Sequence, residues 1–242
     1  MLKVGVLVSG GGTNLQAILD AIDCGKITNA EVSLVISNNP KAYALERAKN
    51  HNIEAVCISP KQYESREEFH KTLLEKLKES GADIAYVMPS HQYPLGIVMP
   101  IKRRQELLRW AEEKPGRYLI EDDYDSEFRY IGKPIPSLQG NDRSGCVIYL
   151  GTFSKSIAPA IRISYLVLPE SLLETYRRID NVFSSTVSRL DQRVLQLFME
   201  KGYYERHLNK MRALYKSKHD VLMSEIRKMR GVRQVLGDHS GV

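Results

Sequence analysis

The chain has 242 residues, 43% apolar and 26% charged, with three cysteines. That composition suits one large or two small globular domains, and excludes a disordered chain, a fibre and a disulfide-rich mini-protein. Lys and Arg outnumber Asp and Glu by 35 to 29 for a net charge of +6, but residues 1–84 carry ten basic against eleven acidic groups and residues 171–242 fourteen against eight. The acids interspersed in that basic stretch make it read as solvated helix faces rather than a nucleic-acid surface.

Apolar periodicity divides the chain cleanly. Lys3–Val8 reads as a strand, followed by a glycine cluster and a helical stripe at Leu15, Ile18, Leu19 and Ile22. Val32–Ser37 is a second strand, Ala42–His51 a helix and Ala55–Ile58 a third strand. Ser65–Glu79 is an amphipathic helix facing inward through Phe69, Leu73, Leu74 and Leu77, and Ile84–Met88 is a fourth strand. Ser90–Pro100 reads as a loop and Lys102–Glu113 as a helix. Tyr118–Glu121 and Val147–Leu150 are strands that run straight into polar clusters, and Ile163–Leu168 is another strand. From Glu170 the pattern is helical, over Leu172–Val182, Ser188–Lys201 and Tyr203–Arg230. The last has its stripe at Leu208, Met211, Tyr215, Leu222, Ile226 and Met229, with Gly231 as the stop. Strands alternating with helices predict an α/β fold: three layers, a mostly parallel sheet with helices on both faces, then a helical C-terminal segment.

No apolar run approaches the ~18 residues of a membrane span, and the first residues read as strand and loop rather than a leader. Cys24, Cys57 and Cys146 lie in apolar runs without metal spacing. They read as reduced core thiols of a cytoplasmic protein, and no metal site is expected.

Ser9-Gly10-Gly11-Gly12-Thr13-Asn14 joins a strand to a helix. Glycines let a backbone approach an anion, and a helix start offers unpaired N–H groups and a positive dipole end. The loop is neither a dinucleotide GxGxxG nor a Walker A sequence. It is a phosphate cradle or a tight helix-capping turn. The strings VGVLVSGGGTNLQAI and VISNNPKAYALERAKNHNIEAVCI closely resemble glycinamide ribonucleotide formyltransferase of purine synthesis, over residues 1–84. The resemblance implies a Rossmann-type half that holds a ribonucleotide phosphate at Gly11, Gly12, Thr13 and Asn14. It does not extend to the Asn, His and Asp that activate the formyl group in that family; His91, in Ser-His-Gln-Tyr-Pro, does not match.

In the second piece, Glu121-Asp122-Asp123-Tyr124-Asp125, Gly151-Thr152-Phe153-Ser154-Lys155-Ser156 and Arg162 each follow a strand-like run. Singly, these are an exposed lysine, a turn carboxylate and a salt-bridge arginine. Together, a lysine beside hydroxyls, an arginine and a carboxylate suit pyridoxal phosphate, whose aldehyde, phosphate and ring cation they match. PSHQYPLGIVMPIKRRQELLRWA, RYLIEDDYDSEFRYIGKPIPSLQG and VIYLGTFSKSIAPAIRISYLVLP then closely resemble the aminotransferase-like domain of MocR-family regulators, of the fold type I class, over residues 82–242.

That resemblance implies Lys155 as the catalytic lysine and Asp122 as partner of the ring nitrogen. It implies Tyr124 on the ring hydroxyl, Arg162, Ser154 and Thr152 on the phosphate, and Tyr93 in the loop bordering the ring. A small amine or amino-acid substrate and a homodimer are implied as well. The winged-helix domain that precedes this region in the family is not matched, so no specific DNA binding is expected. The first part of the aminotransferase-like domain and its small C-terminal domain are not matched either. The expectation is therefore a partial pyridoxal phosphate domain, 85–242, behind a formyltransferase-like half, 1–84. A purine-pathway transferase fragment and a cofactor-binding regulator without turnover are the rival expectations.

Overall fold

A computed structural model describes residues 1–91, 98–130, 136–180, 186–232 and 235. Seven strands are described: β1 (Leu2–Val8), β2 (Ala30–Ser37), β3 (Glu54–Cys57), β4 (Ile84–Val87), β5 (Tyr118–Asp123), β6 (Val147–Thr152) and β7 (Ser164–Val167). The helices are α1 (Thr13–Asp23), α2 (Tyr43–Asn50), α3 (Arg66–Glu79), α4 (Ile101–Glu112), α5 (Leu138–Asn141), α6 (Phe153–Ser156), α7 (Glu170–Asp180), α8 (Arg189–Glu200) and α9 (Tyr203–Lys228). Single 3₁₀ turns lie at Pro60–Gln62 and Pro159–Ile161. The predicted long elements are all present, with ends moved by a few residues.

The strands form one mostly parallel sheet in the order β3-β2-β1-β4-β5-β6-β7. Pairing is parallel between β1 and β2, β2 and β3, β1 and β4, and β4 and β5. The order reverses between β1 and β4. Ligands of open α/β sheets bind beyond the carboxyl ends of strands at such a reversal. Val4–Val8 is buried throughout, as expected of a parallel strand covered on both faces.

The chain forms two compact units, Met1–Asp122 with Ile135–Tyr149, and Asp123–Pro134 with Leu150–Val242. The first holds a core built from elements on both sides of residue 84. Phe69, Leu73 and Leu77 of α3 share one buried cluster with Ala85 and Val87 of β4, with Leu107, Leu108, Trp110 and Ala111 of α4, and with Leu119 and Val147. Lys78 pairs with Glu113 at 2.8 Å and Lys114 with Asp83 at 2.7 Å across the same junction. These pairs are largely exposed and worth at most ~1 kcal/mol each, so apolar burial is what joins the segments. Arg104 is buried within this unit, and its guanidinium donates to the carbonyls of Pro89 (2.7 Å), Pro136 (2.8 Å) and Met99 (3.1 Å).

In the second unit α9 packs on residues 123–130. Phe128 meets Tyr215 edge-on at 5.3 Å, Tyr130 lies 5.2 Å from the His219 ring, and Arg212 Nε donates to the Glu127 carbonyl at 2.7 Å. These contacts correct the predicted stripe of α9. Leu222 and Met229 are exposed, while Leu208 and Met223 are buried and Tyr215 and His219 half-buried. A second correction concerns the cysteines: Cys146 is buried and Cys57 half-buried, but Cys24 caps the end of α1 and is exposed. The short helices α5 and α6 escape prediction, because four residues complete barely one turn and leave no period to read.

Candidate functional site

The loop after β1 is pinned from α2. Ala44 N donates to Gly10 O (3.1 Å), and Arg47 donates to Gly11 O (2.7 Å) and to the Gln16 side chain (2.6 Å). Gly12 takes φ +68°, and a Cβ there would sit 2.7 Å from that of Ala44, so the position requires glycine on two counts. Gly12 offers no side-chain cap to α1. Gly11, Thr13 and Asn14 are exposed and Gly12 half-buried, the arrangement of an accessible helix start.

The side chain of Asn14 reaches residues far along the chain. Its Nδ2 donates to the Tyr86 hydroxyl at 2.8 Å and to Asp122 Oδ2 at 3.2 Å, and the Tyr86 hydroxyl itself donates to Asp122 Oδ2. The register explains the meeting. Tyr86 pairs with Val6 on one side and Ile120 on the other, and Asp122 lies two residues beyond Ile120 on the same face of the sheet. Burial, followed by the Asp122 charge, pushes the Tyr86 phenol far above its usual range. Tyr86 therefore stays protonated and donates. Sequence reading missed it; the signal was a lone hydroxyl inside the otherwise apolar strand Ile84–Val87.

In the second unit, the turn from β6 into α6 carries the other predicted residues. Thr152 caps α6: its hydroxyl accepts from Ser154 N (3.1 Å) and donates to Ile163 O (3.2 Å). Gly151 packs so closely on Tyr165 that a Cβ would come within 2.2 Å of the ring. Lys155 is exposed and Ser154 half-buried. Arg162 closes the following 3₁₀ turn, exposed and in the left-handed region at φ +48°, a conformation a non-glycine residue adopts at a cost. Ser156 is fully buried beside Tyr204, whose phenol burial pushes above its normal value. Tyr124 is half-buried. The predicted Tyr93 lies outside the described residues.

The structure thus brings Asn14 and Asp122 together in the first unit, and Thr152, Ser154, Lys155 and Arg162 onto two adjoining turns of the second. A family model described as aminotransferase class I and II matches residues 48–242. The chain belongs to the class I and II aminotransferase family. A formyl transferase model matches residues 2–91, so the two matches overlap within the first unit. Among relatives, the uncharacterized HTH-type transcriptional regulator YhdI of Bacillus subtilis is 47% identical over 171 residues, 70% of this chain and 36% of its own. The probable rhizopine catabolism regulatory protein MocR of Rhizobium meliloti is 39% identical over 155 residues, 64% of this chain and 31% of its own. This aminotransferase-like chain therefore spans about a third of the length of those regulators. A multiple substrate aminotransferase of Thermococcus profundus superposes with a TM-score of 0.70 at 25% identity, over 99% of this chain and 53% of its own. No described helix is long and apolar enough to cross a membrane.

Proposed function

We propose that the chain binds pyridoxal phosphate through Lys155, as an aminotransferase-type domain for a small amine or amino acid. The observation that carries this reading is how the turn at 151–162 spends its polar groups. Thr152 is consumed in shaping the turn, whereas the side chains of Ser154, Lys155 and Arg162 make no hydrogen bond or ion pair among the described residues. A free amine, a hydroxyl and a guanidinium on adjoining turns are the donor set that a phosphorylated aldehyde requires. Asn14 and Tyr86 both donate to Asp122 Oδ2, as suits a carboxylate that partners a cationic ring nitrogen. When bound, the cofactor supplies an electron sink for the substrate's α-carbon.

In this reading Lys155 holds the cofactor and then moves the α-proton as a base. Arg162 and Ser154 take the phosphate beside Thr152, and Tyr124 meets the ring hydroxyl. Residues 1–84 are then a formyltransferase-like half and 85–242 a partial large domain of a cytoplasmic homodimer. Adding pyridoxal phosphate to the purified chain is expected to produce a visible absorbance band that Lys155→Ala abolishes. No band, or a band that survives in Lys155→Ala, overturns the reading. The similarity to transcriptional regulators favours one second reading, cofactor binding without turnover, in which the band forms and no amino donor discharges it.

A further inference from the structure

We infer that Asn14, in the first turn of α1 just after the glycine loop, is a positioning residue for the Asp122 carboxylate. The inference rests on the proposal that Asp122 faces the cofactor's ring nitrogen. Three residues from three neighbouring strands or their loops meet here: Asn14 after β1, Tyr86 on β4 and Asp122 on β5. An ionised carboxylate only accepts hydrogen bonds, so the side chain opposite it must present its NH₂ group. Asn14 does so, with Nδ2 at 3.2 Å from Oδ2 and 2.8 Å from the Tyr86 hydroxyl. Tyr86 adds a second donor to the same oxygen. These donors on one oxygen set the rotation of the carboxylate, which a partner for a planar cationic ring needs.

The Asn14 amide is engaged with Asp122 and Tyr86, so an anion at the glycine loop meets the backbone N–H groups and Thr13 instead. Asn14 thus serves the carboxylate of β5 across a separation of 108 residues.

The test compares wild type, Asn14→Ala and Asn14→Asp in two measurements. Asn14→Asp replaces the donor by a second carboxylate facing Asp122, and Asn14→Ala removes the donor. In titrations with pyridoxal phosphate, the dissociation constant is expected to rise about ten- to a hundredfold in Asn14→Asp and less in Asn14→Ala, as for a lost hydrogen bond to a charged group. The pH midpoint of the visible band should move in both. The second measurement needs no cofactor: the urea midpoints of Asn14→Ala, Asp122→Ala and their double variant should be non-additive, because the two side chains touch. A wild type without a Lys155-dependent band overturns the cofactor reading and this inference with it. A normal wild-type band with unchanged affinity and pH midpoint in both Asn14 variants, or additive midpoints in the cofactor-free cycle, overturns this inference alone.

Discussion

Leu77→Ala tests whether α3 shares one core with β4 and α4. Leu77 belongs to α3, where the formyl transferase match and the aminotransferase match overlap, and is fully buried. Its Cδ1 packs so closely on Gly5 that a Cβ there would lie 2.7 Å away. Truncation removes three buried carbon groups at ~0.8 kcal/mol each, and the cavity left behind raises the loss to about 3–4 kcal/mol. With a urea dependence of about 2 kcal/mol per molar, the midpoint falls by about 1.5–2 M. The chain's single tryptophan, Trp110, is 1% exposed in the same cluster but lies on α4, beyond the residues that match the formyl transferase model. Its fluorescence therefore reports the effect across the join. The Trp110 transition is expected to shift by the full amount, together with helical circular dichroism. If the Trp110 midpoint stays where it is while the dichroism midpoint drops, α3 and α4 unfold separately and the shared core is wrong.

Gly12→Ala forces a side chain into a left-handed conformation and against Ala44, and should cost at least about 1–2 kcal/mol in thermal unfolding. Gly11→Ala meets nothing within 4 Å and should stay within about 0.5 kcal/mol of wild type; equal losses would contradict the loop geometry. Arg104→Met strands three carbonyls and is expected to lose about 3–5 kcal/mol by urea titration, a loss under 1 kcal/mol being incompatible with the buried contacts. Burial, reinforced by Asp123 and Asp125, raises the Glu127 carboxyl above its ordinary value of 4.5. A raised folded-state value means a contribution fully present below the unfolded value and lost as the pH rises through the folded one. Glu127→Gln should therefore melt above wild type at pH 7, with the gap closing below about pH 4.5; a gap independent of pH would refute the assignment.

The long elements were legible in the sequence alone, because a buried strand and an amphipathic helix write their faces into local spacing. Leu15 and Leu19, and Phe69, Leu73 and Leu77, are predicted inward and found buried. It also supplied the residue types of the candidate site, since glycines beside a helix start, and a lysine among hydroxyls, are local patterns. Tertiary structure decided what local spacing cannot encode. In α9 the inward face is set by Phe128 and Tyr130 packing on Tyr215 and His219, partners some 85–90 residues away, and so Met223 is buried while Leu222 is not. Cys24 is exposed because its helix ends there, between Asp23 and Gly25. The bond from Asn14 to Asp122 required β1, β4 and β5 to lie side by side in register, and strand order is a property of the folded sheet that neither stretch of sequence carries by itself.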